Sequence, residues 1–97
     1  MTPEEAKQAL DACRHEIDAI DRRLVALLNE RSRVVERIGA VKEQVSLPVY
    51  EPKREDEVYA NIEAAREGPI TKEAVRRIFE RIIDEMRTLQ RMRIGGK

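Results

Sequence analysis

Residue types on which many protein classes depend are scarce in this sequence. The one cysteine, Cys13, cannot form a disulfide within the chain, and with the one histidine, His15, it cannot complete a zinc site. Aromatic residues make up 3% of the chain, too few for a base-stacking surface or a β-sandwich core. Lysine and arginine total 19, and aspartate and glutamate also total 19. Because these charges balance, we expect no nucleic acid and no membrane as partner.

Long hydrophobic runs are missing as well. No apolar segment opens the chain as a signal peptide would, and no run approaches the length of a membrane span. We therefore expect a cytoplasmic protein. The sequence is instead rich in charged residues, at 39% of its 97 positions, which is typical of long solvated helices. This composition predicts an all-α fold in a single domain over residues 1–97.

The first helix has a clear start and a regular apolar pattern. Thr2 suits its N-cap, Pro3 its first helical position, and Glu5 completes a capping box. The helix is predicted to end at about Val45, because Ser46-Leu47-Pro48 follows. Along it runs a stripe of residues at spacings of three and four, called the seam below. The seam consists of Leu10, Cys13, Ile17, Ile20, Leu24, Leu27, Arg31, Val34, Ile38, Val41 and Val45.

Such a helix is too long for a compact chain of this size. At 1.5 Å per residue it would extend roughly 60 Å, whereas a compact monomer would be only about 30 Å across. Its far half must bury the seam against something else, and a second copy of the chain is the simplest candidate. We therefore predict an intertwined helical homodimer with three helices per chain.

Two shorter helices are predicted to follow. Pro52 suits the first position of the second helix, which extends toward Gly68-Pro69. Thr71 suits the N-cap of the third helix. Residues 91–97 are predicted to form a frayed tail. The apolar stripe of the third helix is Val75, Phe79, Ile82, Met86 and Leu89.

Several polar residues interrupt these patterns and indicate a site. Arg31 occupies a seam position, where a charge is costly unless it is paired or liganded. Lys42 lies three turns later on the same face, about 16 Å along the helix, so both cations can close on one small anion. The amide of Gln90, beside the apolar stripe of the third helix, is expected to point inward. A shared face at the start of the second helix carries Glu51, Arg54 and Glu55.

Most of these residues also have an ordinary structural interpretation. On pattern alone, Arg14 and Lys42 fit solvated side chains or weak surface ion pairs. The polar group at the start of the second helix fits helix capping and an i to i+4 pair. Met86 is most simply a core residue. Arg31 is the member least easily explained without a ligand.

Taken in order, these motifs resemble the helical class of chorismate mutases. The resemblance extends from about Leu10 to Gln90 and keeps the family's spacing. It implies long first helices entwined across a dimer, with two sites per dimer. The motifs that carry it are Arg14-x-x-Ile17-x-x-Ile20-Asp21, Leu27-Leu28-x-Glu30-Arg31, Gly39-x-x-Lys42, Pro48-Val49-x-Glu51-Pro52-x-Arg54-Glu55 and Gln90.

The resemblance also implies an activity and the residues that perform it. The enzyme would be an isomerase that rearranges chorismate to prephenate in phenylalanine and tyrosine biosynthesis, without a metal or other cofactor. Carried over from the family, Arg14 and Arg31 would hold the substrate's carboxylates. Lys42 and Gln90 would donate to its ether oxygen.

The remaining members of the site would surround the substrate's ring hydroxyl. Glu55 would accept a hydrogen bond from it, with the backbone or side chain near Glu51, and Arg54 would help to hold the charged pocket together. Glu51 stands where relatives carry Asp, and Met86 stands where some carry a small polar residue. The contributions of Glu51 and Met86 to substrate binding therefore stay open.

The spacing of two cations predicts that both chains build each site. Arg14 and Lys42 are 28 residues apart, which is roughly 42 Å along one straight helix. They cannot touch the same small substrate from one chain, so we expect the partner chain to supply Arg14.

Two other functions stay open at this point. An isochorismate-pyruvate lyase shares the fold and the cationic pocket, although Glu55 favours the mutase. A non-catalytic helical module, such as a coiled-coil adaptor or a regulatory domain of an aromatic-pathway enzyme, is the second alternative. It gives no reason for Arg31 in the seam. The final Gly95-Gly96-Lys97 fits either the end of a free enzyme or the start of a linker to another enzyme of the pathway.

Overall fold

The chain folds into three α-helices. A computed structural model describes the backbone of residues 1–95 and the side chains as far as Arg93. The helices are α1 (Pro3–Val45), α2 (Pro52–Ala65) and α3 (Lys72–Gly95). No strand occurs among residues 1–95, so the prediction of an all-α fold is confirmed. Within that described part, none of the helices is apolar over enough of its length to cross a membrane.

The start of α1 follows from the capping box. The backbone N–H of Thr2 donates to Glu5 Oε1 at 2.8 Å, and the backbone N–H of Glu5 donates to Thr2 Oγ1 at 3.1 Å. These two bonds satisfy donors that the first turn of a helix otherwise leaves without partners. The third helix uses a similar device, because the backbone N–H of Ala74 donates to Thr71 Oγ1 at 3.1 Å.

The end of α1 is set by a change in backbone conformation at Ser46. This residue has a φ of 56°, in the left-handed region, directly after the last helical residue. The backbone N–H of Leu47 then donates to the carbonyl of Lys42 at 2.9 Å. This bond closes the last turn in the manner of a Schellman motif. The chain therefore leaves the helix sharply and turns back toward Lys42.

Two compact units divide the chain, and the first of them, Met1–Arg33, is one helical segment. Most of its side chains are exposed. The apolar members of the seam in this unit, apart from Cys13, are between 41% and 58% exposed. They are Leu10, Ile17, Ile20, Leu24 and Leu27. The first unit therefore presents an apolar stripe that the described residues leave largely uncovered.

The second unit begins at Val34 and contains the end of α1 with α2 and α3. Its buried apolar side chains are Val35, Ile83 and Met86. The buried face of α1 consists of Val35, Gly39 and Lys42. The neighbouring seam residues Val34, Ile38 and Val41 are 43%, 42% and 59% exposed. The face of α1 that is buried within the chain therefore lies beside the seam. The apolar pattern of the sequence did not separate these two faces of the helix.

The apolar stripe predicted for α3 is mostly correct. Met86 is buried, and its other four members are half-buried. Ile83 was missed, although it is among the most buried residues at 5% exposure. The helix also continues through Gly95, further than the frayed tail expected over residues 91–97. Gly96 and Lys97 lie outside the described residues.

Polar side chains connect α2 and α3 along their shared side. Arg76 Nη1 lies 3.0 Å from Glu63 Oε2, and the same guanidinium lies 4.1 Å from the centre of the Tyr59 ring. Lys72 Nζ lies 3.6 Å from the other oxygen of Glu63. A carboxylate held by two cations and a ring stacked beneath one of them fix the two helices side by side.

Candidate active site

A buried lysine is the centre of the candidate site. Lys42 is 6% exposed, and its ammonium lies within reach of three acceptors. Its Nζ is 2.7 Å from Glu51 Oε1, 3.1 Å from the carbonyl oxygen of Val49 and 3.3 Å from Gln90 Oε1. An ammonium group has three donors, so these acceptors match it in number. We call Lys42, the Val49 carbonyl, Glu51 and Gln90 the Lys42 cluster.

The turn between α1 and α2 supplies two of these acceptors. Because α1 ends just after Lys42, the following residues double back, and Val49 and Glu51 reach its ammonium. Glu51 precedes the first residue of α2, but its side chain makes no capping hydrogen bond to that helix. The capping role suggested by its position is therefore not the one observed. Its carboxylate is paired with Lys42 instead.

The third helix supplies the amide. Gln90 is 8% exposed, one turn after Met86, which confirms the expectation that its side chain points inward. Lys42 donates to the oxygen of this amide, so the amide nitrogen is the group that can donate to a ligand. A methyl group built at Gly39 would lie 3.7 Å from Gln90 Cγ. Such a methyl group would be in ordinary van der Waals contact, so α1 and α3 lie close together at Gly39 without requiring glycine there.

A second ion pair lies beside the Lys42 cluster and joins α2 to α3. Arg87 Nε is 2.9 Å from Glu55 Oε2, and Arg87 Nη2 donates to Glu55 Oε1 at 3.4 Å. The Nε contact is an ion pair rather than a hydrogen bond, because its N–H has no hydrogen-bond acceptor. Both side chains are largely buried, at 25% exposure for Arg87 and 18% for Glu55. The guanidinium also lies 5.5 Å from the ring of Tyr50, the residue before Glu51.

Sequence reasoning missed Arg87. Its partner is 32 positions away, so the pair exists only when α2 and α3 are docked. The available signal was a basic residue directly after Met86 and one turn before Gln90, close to the apolar stripe of α3. Such a signal is weak, because long cationic side chains often lie along the edge of an apolar stripe.

Four of the predicted site residues are not part of these clusters. Met86 is buried among the apolar side chains of the second unit. Arg54 is exposed, and its Nη1 lies 3.2 Å from Glu57 on the same helix. Arg14 and Arg31 belong to the first unit. Arg14 is exposed and lies 3.9 Å from Asp11, whereas Arg31 is half-buried. Their roles toward a substrate stay predictions.

The chemistry available to the Lys42 cluster is the stabilisation of negative charge. A buried ammonium and an amide donor held close together favour an anion, or charge that develops on an oxygen, more strongly than they would in water. In the part of the chain that the structure describes, no group of three or more His, Cys, Asp or Glu residues is placed to hold a metal ion.

Comparison with known protein families assigns the chain. The model of the family described as chorismate mutase type II matches residues 13–91, a segment that contains every residue of the Lys42 cluster and the Glu55–Arg87 pair. The chain belongs to this family. The resemblance found in the sequence motifs is thereby confirmed.

Similar proteins of known structure and known name agree with the assignment. The chain is 36% identical to the chorismate mutase (form II) of Thermus thermophilus, with a TM-score of 0.82 over 84% of this chain and 93% of that one. It is 27% identical to the chorismate mutase of Methanocaldococcus jannaschii, over 87% of this chain and 86% of that protein.

Some relatives of this chain are much longer. The chain is 34% identical to the bifunctional chorismate mutase/prephenate dehydratase of Aquifex aeolicus over 88 residues. That match covers 87% of this chain and 24% of the relative. The chain thus spans about a quarter of the length of such bifunctional relatives.

Proposed function

We propose that this chain is a chorismate mutase, an isomerase that rearranges chorismate to prephenate on the route to phenylalanine and tyrosine. The observation that carries the proposal is the buried pair of donors, Lys42 and Gln90, in a chain of the chorismate mutase type II family. The names of the relatives at similar length support the same activity.

The reaction needs only groups of the kind that this site contains. Chorismate carries two carboxylates, a ring hydroxyl and an enolpyruvyl ether. Its rearrangement is concerted: the ether C–O bond breaks while a new C–C bond forms, and no proton, metal or covalent enzyme intermediate is required. An enzyme accelerates it by holding the compact conformer and by stabilising the negative charge that builds on the ether oxygen.

The Lys42 cluster fits the second of these tasks. Lys42 is oriented by Glu51 and the Val49 carbonyl, so its ammonium is in place before a substrate arrives. We propose that the ether oxygen displaces Gln90 Oε1, the most distant of the three acceptors at 3.3 Å, so that Lys42 and the amide nitrogen of Gln90 both donate to the ether oxygen. The same exchange of acceptors would let Lys42 reach a carboxylate. Donors that are already fixed need no reorganisation when the charge develops, so their effect falls mainly on the transition state.

The ring hydroxyl is assigned to the acidic side of the site. We propose that Glu55 accepts its hydrogen bond, because its carboxylate is held beside Arg87 and each carboxylate oxygen has a lone pair left for a further donor. Glu51 is already engaged by Lys42, so a contribution to the hydroxyl from this part of the chain fits its backbone better than its side chain. Met86 would form an apolar wall.

The two carboxylates of chorismate require further cations. Within the second unit, the positive charge of Lys42 is matched by Glu51 and that of Arg87 by Glu55. We therefore propose that Arg31 and the Arg14 of a second copy bind the carboxylates, with Arg54 supporting the pocket. A homodimer is supported by the apolar seam of the first unit, which is between 41% and 58% exposed at its leucines and isoleucines.

Two features of the protein's setting stay predictions. The first is the cytoplasmic location. The second is a physical or covalent association with another enzyme of the aromatic pathway, for which the bifunctional relatives provide the precedent.

The proposal is tested by incubating the purified chain with chorismate and measuring both chorismate loss and prephenate formation. We expect prephenate to form in the same amount as chorismate is lost, over many turnovers of the enzyme. A parallel incubation with isochorismate, assayed for pyruvate, should release none above the uncatalysed rate. A folded helical protein that leaves chorismate unchanged would overturn the proposal, and pyruvate release from isochorismate would indicate a lyase.

A further inference from the structure

The Glu55–Arg87 pair has the geometry of a clamp on the Glu55 carboxylate. The guanidinium reaches both oxygens, with Nε at 2.9 Å from Oε2 and Nη2 at 3.4 Å from Oε1. Arg87 is in turn constrained by its own neighbours, since its guanidinium lies 5.5 Å from the Tyr50 ring and Nη1 lies 3.9 Å from Asp84. The planar guanidinium fork, held in this way, restrains the position of the carboxylate through one hydrogen bond from Nη2 and one close charge contact from Nε.

Such a clamp matters because a glutamate side chain has several rotatable bonds. Ordering a long side chain costs free energy, and this cost weakens binding when the substrate has to impose the order. The first turn of α2 cannot order the Glu55 side chain by itself, because helical backbone fixes the Cα–Cβ end of the side chain but leaves the carboxylate end mobile. Each carboxylate oxygen has two lone pairs, so both oxygens can contact Arg87 and still accept a hydrogen bond.

We propose that Arg87 is a positioning residue, which holds the carboxylate of Glu55 ready to accept a hydrogen bond from the ring hydroxyl of the substrate. This inference rests on the proposed function. It assigns a role to a side chain that reaches the substrate only through Glu55. Arg87 lies in α3, so the clamp also makes the hydroxyl contact depend on the docking of α2 against α3.

The role predicts a particular kinetic signature. The ring hydroxyl makes and breaks no bond in the rearrangement, although it lies on the carbon next to the one that loses the ether oxygen, so we expect its contact to have similar strength in the bound substrate and in the transition state. Loss of the clamp should therefore raise KM while kcat changes little. We expect Arg87→Met to raise KM about tenfold, since a mispositioned group weakens a contact without abolishing the chemistry. Arg87→Lys keeps the charge but not the fork, so KM should lie between the two.

The decisive experiment combines Arg87→Met with Glu55→Ala and uses Arg81→Met as the matched control. Arg81 is an arginine of the same helix whose pairs, with Asp84 and Glu85, lie on the surface. If Arg87 acts through Glu55, then Arg87→Met should leave KM unchanged once Glu55 has been replaced. Arg81→Met should have the KM and kcat of the wild type, and circular dichroism should show full helix content in every variant.

Other results would contradict this role. An equal rise in KM in the presence and absence of Glu55, or a loss confined to thermal stability, would make Arg87 a structural residue only. Arg87→Lys with the KM of the wild type would contradict the role, because it would show that charge without the guanidinium fork is sufficient. If Arg87→Met misfolds, Arg87→Lys with and without Glu55→Ala provides the same test. A wild-type protein that converts no chorismate would overturn the proposed function itself, which separates the two failures.

Discussion

The two units of this chain leave opposite kinds of residue in unfavourable surroundings. In the first unit, Leu24 and Leu27 are 52% and 58% exposed on one face of a helix. In the second unit, Lys42 and Gln90 are 6% and 8% exposed, in a part of the chain with few buried residues of any kind. Exposed apolar surface forgoes roughly 25 cal/mol per Å² that burial would contribute. Buried polar groups cost more still, unless each has a hydrogen-bond partner.

This contrast indicates how each unit relates to other molecules. The polar groups of the Lys42 cluster satisfy one another, so the cost of burying them is met within the chain. The apolar stripe of the first unit has no such compensation among the described residues. A stripe of this kind is typical of a surface that another protein covers. The second unit therefore holds the buried charged groups of the proposed site, and the exposed stripe of the first unit supports the proposed second copy.

The largest expected effect comes from removing the charge of the second unit while keeping its packing. Lys42→Met has a similar length but no donor, so it should lower kcat by about a thousandfold or more. The fold should survive, because an apolar side chain suits a buried position, although Glu51 and Gln90 lose a partner. Steady-state kinetics with chorismate and circular dichroism provide the measurement. Lys53→Met, an exposed lysine in α2, is the matched control and should behave as the wild type.

A Lys42→Met protein with activity within tenfold of the wild type would show that the buried ammonium does not act on the ether oxygen. Lys42 would then be a structural residue of the turn between α1 and α2, and its burial would have no role in the reaction.

The next prediction tests whether the first unit of one chain serves the second unit of another. Arg14→Ala and Lys42→Ala homodimers should each be nearly inactive. When the two are unfolded together and refolded, about half of the dimers should be mixed. Each mixed dimer has one site with both defects and one intact site, so activity should recover to about a quarter of the wild-type value.

Mass spectrometry under native conditions has to verify that mixed dimers are present. If they form and activity does not recover, Arg14 is not supplied across the interface. If the chain is monomeric under assay conditions and still active, the exposed seam has another function and the dimer proposal fails.

Local features of this structure were predictable from the sequence, and contacts between helices mostly were not. Thr2 and Glu5 are three residues apart, so the capping box and the start of α1 depend only on neighbours. The burial of Lys42 depends on which face of α1 meets the rest of the second unit, and the apolar pattern indicated the adjacent face. Nothing in a single helix pattern pairs Glu55 with Arg87, because they meet only through α2 and α3.

A smaller effect is expected from a change of charge at Gln90. In the Gln90→Glu variant, the new carboxyl would lie beside the ammonium of Lys42, which favours its ionised form. An ionised carboxylate cannot donate to the ether oxygen and repels the charge that develops there. Activity should therefore fall at neutral pH and return as the pH is lowered, whereas the wild-type amide donates at every pH. Gln8→Glu on the exposed part of α1 is the control for the added charge.

The pH dependence of kcat for Gln90→Glu decides this assignment. A profile that is flat, or that rises with pH, would mean that the side chain at position 90 does not donate to the ether oxygen. The buried position of Gln90 would then be explained by its hydrogen bond with Lys42 alone.

The smallest expected effect concerns the capping box at the start of the first unit. Hydrogen bonds from the backbone N–H and then the side chain of Thr2 hold the pKa of Glu5 below its usual value. A lowered pKa in the folded state means that the cap contributes fully above the unfolded pKa and is lost as pH falls through the folded one. The protection of the first-turn amides against hydrogen exchange should therefore decrease only in acid.

Two variants separate the charge of this cap from its hydrogen bonds. Glu5→Gln can still accept from the backbone N–H of Thr2, so its first turn should respond little to pH, with an intermediate exchange rate. Thr2→Ala removes the hydroxyl that accepts from Glu5 and should weaken the first turn by about 1 kcal/mol at every pH. Because the first turn opens independently of the rest of the molecule, the thermal midpoint and kcat should stay unchanged.

Wild-type exchange that is independent of pH would show that the ionised carboxylate contributes nothing to the cap. A fall in kcat for Thr2→Ala would show instead that the first turn of α1 is coupled to the site. The two units would then not have separate roles.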